Sequence, residues 1–150
     1  MNDIKVIRFD NLHDIELPHV FECGQCFRWN ECEDGSYIGV AGGYAAHVSL
    51  ERNGDCSSLI IECTGGSEEY WHSYFDLDTD YGAMKKALLA GEPKLAKSID
   101  VCYGIRILNQ DYWEVLISFI VSQNNNIPRI KKCIESLAKN YGTEIGEFMG

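Results

Sequence analysis

Residues 1–65 break into short apolar runs separated by turn residues, and each run has the length of a strand. Ile4 to Phe9, Phe27-Arg28-Trp29, Tyr37 to Ala41, Tyr44 to Leu50 and Leu59 to Cys63 are each bounded by Gly, Asn or Asp. Asp34-Gly35, Gly42-Gly43 and Asn53-Gly54 tolerate the positive φ that tight hairpins need at their centre. Successive hairpins predict an antiparallel meander. From Ser67 the pattern changes to that of helices. Glu68 to Phe75 reads as a short helix; Asp80 to Ala90 follows a Thr79 cap and stops at Gly91; Pro93 to Tyr103 opens with proline in its first turn and closes before Gly104.

Asp111 and Glu114 have the spacing of a capping box, in which the N-cap side chain takes a backbone N–H and the glutamate reaches back. Apolar residues at 112, 113, 115, 116, 117, 119 and 120 leave this helix no solvent face, so it is expected to be central and buried. It runs out at Ser122-Gln123-Asn124-Asn125-Asn126. A last helix begins at Pro128, with Ile130, Cys133, Ile134, Leu137 and Tyr141 on one stripe and Gly142 as its stop. The end, Glu147-Phe148-Met149-Gly150, carries no polar tail, and two helices want partners for their apolar faces, which reads as the amino-terminal piece of something longer.

A hydrophobic share of 45% over 150 residues suits a folded domain with a sizeable core, with room for two small lobes but no second full domain. The start, Met1-Asn2-Asp3-Ile4-Lys5, lacks the features of a secretion signal, and the apolar run Val115 to Val121 is far short of the roughly 20 residues that span a bilayer. A cytoplasmic protein with seven reduced thiols is the expectation. The formal net charge of −10 speaks against a nucleic-acid partner, because phosphate affinity comes largely from Lys and Arg.

Few residues carry candidate chemistry. Cys23-Gly24-Gln25-Cys26 is a C-x-x-C, but strand and not helix follows it; Cys32 lies nearby, yet no second such pair and no paired histidines complete a zinc site. Two small thiols beside a strand is the favoured reading, with no metal and no cofactor. His13, His19, His47 and His72 are scattered singly and read as structural. Asp76, Asp78 and Asp80 lack the ligand pattern of a calcium loop and read as turn acids and a helix cap. The window from Gln123 to Lys139 differs: Arg129, Lys131, Lys132 and Lys139 stand against Glu135 alone, a local charge of +3. From these residues alone, a helix-capping asparagine loop with a solvated basic face and a nucleic-acid contact stay equally open.

Gly24-Gln25-Cys26-Phe27-Arg28-Trp29, Tyr74-Phe75-Asp76-Leu77-Asp78, Gly104-Ile105-Arg106-Ile107-Leu108-Asn109-Gln110-Asp111 and Ser118 to Ile130, with Asn124-Asn125-Asn126-Ile127-Pro128-Arg129 at its heart, occur in one order. In that order and approximate spacing the chain resembles the 8-oxoguanine DNA glycosylases over essentially its whole length. The resemblance implies an α+β fold: an antiparallel sheet lobe of TATA-binding-protein-like type over residues 1–110, then residues 111–150 as the first helices of a helix-hairpin-helix catalytic domain. It implies a repair enzyme that flips the damaged nucleotide, cuts its glycosidic bond with a lysine amine through a Schiff base, and nicks the strand by β-elimination. The nucleophilic lysine and its aspartate would lie beyond residue 150, leaving no catalytic residue in this chain.

The implied partner is double-stranded DNA containing oxidised guanine opposite cytosine, bound by a monomer with no membrane association, in the cytoplasm at the nucleoid or in a nucleus. Oxidation at C8 turns guanine N7 from an acceptor into an N–H donor, and a main-chain carbonyl can sense that change. By resemblance the carbonyl is that of Gly24, where no Cβ obstructs approach. Asn124 would fill the vacated place in the stack, Arg129 would read the widowed cytosine, and Asn125 would support the same contact. The competing assignment for these three is helix capping and a surface ion pair. Cys26 stands where many relatives have Ser. Two other classes remain in contention: a non-catalytic nucleic-acid or protein interaction module of the same fold, and a thiol or zinc protein using Cys23 and Cys26.

Overall fold

Five runs with turn chemistry between them fold into one antiparallel sheet in a computed structural model that describes residues 4–145 and residue 148. The strands are β1 (Lys5–Leu12), β2 (Trp29–Glu31), β3 (Tyr37–Ala41), β4 (Tyr44–Asn53) and β5 (Cys56–Cys63), ordered β1-β5-β4-β3-β2. Gly42-Gly43 closes the β3–β4 hairpin with Ala41 opposite Tyr44, and Gly54-Asp55 closes β4–β5 with Asn53 opposite Cys56. The expected meander therefore holds for β2 to β5. Strand β1 departs from it by crossing to the far edge beside β5.

A helix that periodicity does not reveal fills the crossover. Leu17–Phe21 (α1) is five residues long, too short for a 3.6-residue stripe, yet Leu17, Val20 and Phe21 are buried. With α2 (Glu68–Tyr74) it covers the sheet face that presents Ile7, Phe9, Trp29, Tyr37, Val48 and Ile61. Phe21 stacks on Trp29 with ring centroids 4.5 Å apart, and Trp29 Nε1 donates to Tyr74 Oη at 2.9 Å, so the indole is both packed and satisfied.

Asp80, not Thr79, caps α3 (Tyr81–Gly91), its carboxylate accepting from Ala83 N. The single helix expected over 93–103 is a 3-10 turn, Pro93–Leu95, followed by α4 (Ala96–Val101), and residues 104–110 run as a connector without helix. Helices α5 (Tyr112–Ser122) and α6 (Ile127–Tyr141) end the described chain. Asp111 caps α5 by accepting from Trp113 N and Glu114 N, while among the described residues Glu114 does not return the bond; burial pushes its carboxyl up, outweighing the pull of Arg28. Gly142 follows α6 at φ −79°, so this helix ends without a left-handed residue.

The burial expected of α5 is corrected. Tyr112 is 92% exposed, Trp113 68% and Phe119 64%, and Ser118 is its one buried residue. An all-round apolar pattern reports which faces need cover, not where the cover comes from. The main core draws its buried residues from 7 to 108 and closes without α5, and among the described residues α5 packs chiefly along α6. No described helix is long and apolar enough to cross a membrane. The readings of Met1-Asn2-Asp3 and of Gly146, Glu147, Met149 and Gly150 lie outside the described residues.

Glu16 ties the sheet to the connector. Its backbone N–H donates to Gly104 O at 2.9 Å, its carboxylate accepts from Arg52 and Tyr103, and a Cβ on Gly104 would sit 2.5 Å from Glu16 N. Burial pushes the Glu16 carboxyl up, but the bonds from Arg52 and Tyr103 outweigh it and hold the pKa below the ordinary 4.5. A lowered folded-state pKa contributes stability that is complete above the unfolded value and lost as pH falls through the folded one. Glu16→Gln is therefore expected to lower the melting temperature at pH 7, with the gap to the wild type narrowing below about pH 4.5. A constant gap down to pH 2, followed by circular dichroism, would contradict this.

Candidate nucleic-acid interface

The segment from Cys23 to Trp29 runs from the end of α1 into β2, and Gly24 is its pivot, at φ +86°. A Cβ there would meet only Ile127 Cδ1, at 4.0 Å. Glycine is thus required by the left-handed backbone and not by crowding within the protein. The contact with Ile127 also places Gly24 beside the first turn of α6, although the two are far apart in sequence.

Gln25 fixes the loop that Gly24 begins. Its Nε2 donates to Val20 O at 2.9 Å and to Arg106 O at 2.8 Å, its Oε1 accepts from Leu108 N at 2.9 Å, and Gln110 Nε2 donates to Gln25 O at 2.8 Å. The connector that receives these bonds is held in turn by Arg106. The buried guanidinium donates to Asp76 O at 2.8 Å and His13 O at 3.0 Å and lies 4.7 Å from the Tyr81 ring centroid. Tyr81 Oη donates to Asp76 Oδ2 at 2.7 Å and accepts from Ile107 N at 2.8 Å, so Asp76 organises the connector rather than standing as a solvated acid.

Helix α6 docks against the same loop. Phe27 packs with Ile130 and Ile134, with Val121 against them, as a small cluster apart from the main core. Lys131 Nζ donates to Trp29 O at 2.9 Å and approaches Glu22 Oε1 at 3.4 Å. The expected basic face is smaller by that residue: Lys131 is spent on docking, whereas Arg129, Lys132 and Lys139 are exposed and form no ion pair among the described residues.

The three asparagines divide their labour. Asn126 Oδ1 caps α6 by accepting from Arg129 N at 3.1 Å, and Asn125 donates from Nδ2 to Val121 O at 2.9 Å while its Oδ1 accepts from Asn126 N. Both amides hold the loop in shape. Asn124 is exposed at φ +51°, a left-handed conformation that asparagine tolerates, and its amide has no partner among the described residues. Capping thus accounts for Asn126 and Asn125 but leaves Asn124 and Arg129 unaccounted for.

Cys23 and Cys26 aim at the carbonyls ending α1, Cys23 Sγ lying 3.4 Å from Val20 O and Cys26 Sγ 3.9 Å from Phe21 O. Burial pushes the Cys26 thiol far above its ordinary range, which disfavours a free thiolate there. Gln25, Arg106 and Lys131 are the residues whose roles the sequence concealed. A polar residue inside an otherwise packed strip is the one signal that marked Gln25, and Arg106 sits alone between Ile105 and Ile107.

Comparison with known proteins bears on the same motifs. The family model described as 8-oxoguanine DNA glycosylase, N-terminal domain, matches residues 7–116. An N-glycosylase/DNA lyase of Saccharomyces cerevisiae is 32% identical over 152 residues, covering 93% of this chain and 40% of that protein. The N-glycosylase/DNA lyase OGG1 of Arabidopsis thaliana is 26% identical over 140 residues, covering 91% and 38%. Among solved structures, MBOgg1 in complex with a low affinity DNA ligand superposes with a TM-score of 0.87 at 46% identity, over 99% of this chain and 51% of that one. The Clostridium acetobutylicum 8-oxoguanine glycosylase/lyase, in complex with double-stranded DNA containing cytosine opposite 8-oxoG, gives 0.82 at 40% identity, over 100% and 52%. The chain thus spans about two fifths of the length of the curated relatives it matches. Its sheet, its helices and the match over residues 7–116 agree, and the chain belongs to the 8-oxoguanine DNA glycosylase N-terminal domain family.

Proposed function

We propose that this chain is the recognition part of an 8-oxoguanine DNA N-glycosylase with AP lyase activity, acting as a monomer on duplex DNA. The observation that carries the reading is the closeness of Gly24 to the first turn of α6, where a Cβ on Gly24 would lie 4.0 Å from Ile127 Cδ1, which brings a residue without a side chain near the loop that holds Asn124 and the turn that holds Arg129. In this reading the Gly24 oxygen accepts the N7–H that only the oxidised base offers, a contact for which normal guanine substitutes an acceptor. Asn124 fills the place of the extruded nucleotide and Arg129 donates to the acceptors of the widowed cytosine. Asn125 serves the same contact indirectly, through its bonds across the loop.

Residues 1–110 then form the amino-terminal domain and 111–150 the first helices of the catalytic domain, a division supported by the main core, whose buried residues lie between Ile7 and Leu108. The nucleophilic lysine and its aspartate belong to the part of the protein outside these residues, as do most phosphate contacts, given the acidic balance here.

The intact protein is expected to incise duplexes carrying 8-oxoguanine opposite cytosine and to form a borohydride-trappable adduct with them, while residues 1–150 alone do neither. Incision of no 8-oxoguanine duplex would reduce the chain to a binding module, and trapping by residues 1–150 would place the nucleophile where this reading has none. Arg129→Ala should cut the preference for cytosine over the other opposite bases by roughly 10- to 100-fold, about 1–3 kcal/mol, and change lesion binding less. Equal losses for every opposite base would make Arg129 a general phosphate contact.

A further inference from the structure

We propose that Cys32, Asp34 and His47 form a binding site for a zinc-class divalent cation on the outer side of the sheet. One ligand atom from each of the three lies within 4.8 Å of the other two. Cys32 and Asp34 stand in the β2–β3 turn, whose backbone is set by Cys32 N donating to Ser36 O at 2.8 Å and Gly35 N donating to Cys32 O at 3.0 Å. His47 alternates in β4 with the buried Ala46 and Val48, so it projects from the opposite face of the sheet, toward that turn.

A second observation points the same way. Glu62 is the cross-strand partner of His47 on β5, and its Oε2 lies 2.9 Å from His47 Nδ1. A carboxylate that accepts from Nδ1–H leaves the lone pair of the other nitrogen, Nε2, for a metal, the outer arrangement that metal-bound histidines ordinarily have. Ser36 Oγ lies 2.7 Å from Nε2 and donates to Asp34 Oδ1 at 2.5 Å, so Nε2 faces the serine oxygen, and a cation displaces the serine by its rotation and any proton on Nε2 to solvent. Cys32 Sγ has no hydrogen-bond partner among the described residues and is half-buried.

A thiolate, an imidazole and a carboxylate form a borderline-soft set, which suits Zn²⁺ over the oxygen-seeking Mg²⁺ and Ca²⁺. Three protein ligands leave one position for water. On binding, the Cys32 S–H gives its proton to solvent and the sulfur–metal bond replaces a metal–water bond, so affinity weakens as pH falls. The site is separate from the Cys23 and Cys26 pair and independent of the DNA-repair reading. It would clasp the edge hairpin that carries β2.

The test is titration of the reduced, metal-free intact protein with Co²⁺. One equivalent is expected to produce thiolate-to-cobalt charge transfer with the d–d bands of a four-coordinate ion. Cys32→Ser should abolish the charge-transfer band, His47→Gln should weaken binding roughly tenfold or more, and Glu62→Gln should weaken it roughly 10- to 100-fold. Cys23→Ser should leave the titration unchanged. As a second measurement, Zn²⁺ should raise the melting temperature of the wild type and of Cys23→Ser but not of Cys32→Ser. The proposal fails if the wild type shows no charge-transfer band, if Cys32→Ser titrates or is stabilised like the wild type, or if Cys23→Ser is the variant that loses the band.

Discussion

Trp29→Ala is expected to lower folding stability by about 3–5 kcal/mol, the range for removing a large buried aromatic side chain. The indole is 1% exposed, stacks on Phe21 and donates to Tyr74 Oη, a hydroxyl enclosed by the same cluster. Alanine leaves a cavity and takes the hydroxyl's donor away at once, two costs that add. Trp29→Phe restores most of the packing but not the bond, and should lose about 1–3 kcal/mol. Urea unfolding followed by far-UV circular dichroism measures both. The main-chain oxygen of the same residue receives Lys131, so a displaced β2 also loosens the seat of α6. An alanine variant within about 1 kcal/mol of the wild type would mean that the sheet closes over the gap.

The hairpins were legible in the sequence because their information is local. Gly42-Gly43 states where the chain turns, Asn53-Gly54 does so to within one residue, since Asn53 still pairs with Cys56 and Gly54-Asp55 makes the turn, and strands β3 to β5 follow as a meander. Placement of β1 was not legible, because a crossover is settled by which edge remains unpaired and by α1, whose five residues are too few to show a period. Helix α5 was legible as a helix with a firm Asp111 cap, but its surroundings were not, since apolarity names a need without its supplier. At the candidate site the divide runs between types and partners. Asparagine, glycine and arginine at fixed spacing announced a loop of unusual composition, whereas the assignment of Asn125 and Lys131 to internal bonds depends on distances that no one-dimensional pattern carries.

Gln25→Leu is expected to be the most damaging change outside the buried apolar side chains, because it acts on the backbone bonds behind Gly24. Leucine matches the volume of the amide but leaves Arg106 O and Leu108 N without the partners they have now and Val20 O with only the Cys23 thiol. An unpaired half-buried backbone group costs about 1–3 kcal/mol, and relaxation toward water recovers part of that, so a stability loss of about 3 kcal/mol is expected. Gly24 adjoins this wall: at φ +86° it has no side chain of its own to hold it, and the bonds that fix the loop are those of the next residue. If Gly24 reads the lesion as proposed, the preference of the intact protein for 8-oxoguanine over guanine should fall roughly tenfold, about 1.4 kcal/mol, while affinity for undamaged duplex stays near the wild-type value. Gln25→Glu separates geometry from lost stability. Its carboxylate still accepts from Leu108 N but faces the oxygens of Val20 and Arg106, so its defect should ease as pH falls and the acid gains a proton to donate, whereas that of the leucine variant should not. Lesion preference that survives Gln25→Leu intact, with only the melting temperature reduced, would make Gln25 a brace for the connector and leave the orientation of the Gly24 carbonyl to the backbone alone.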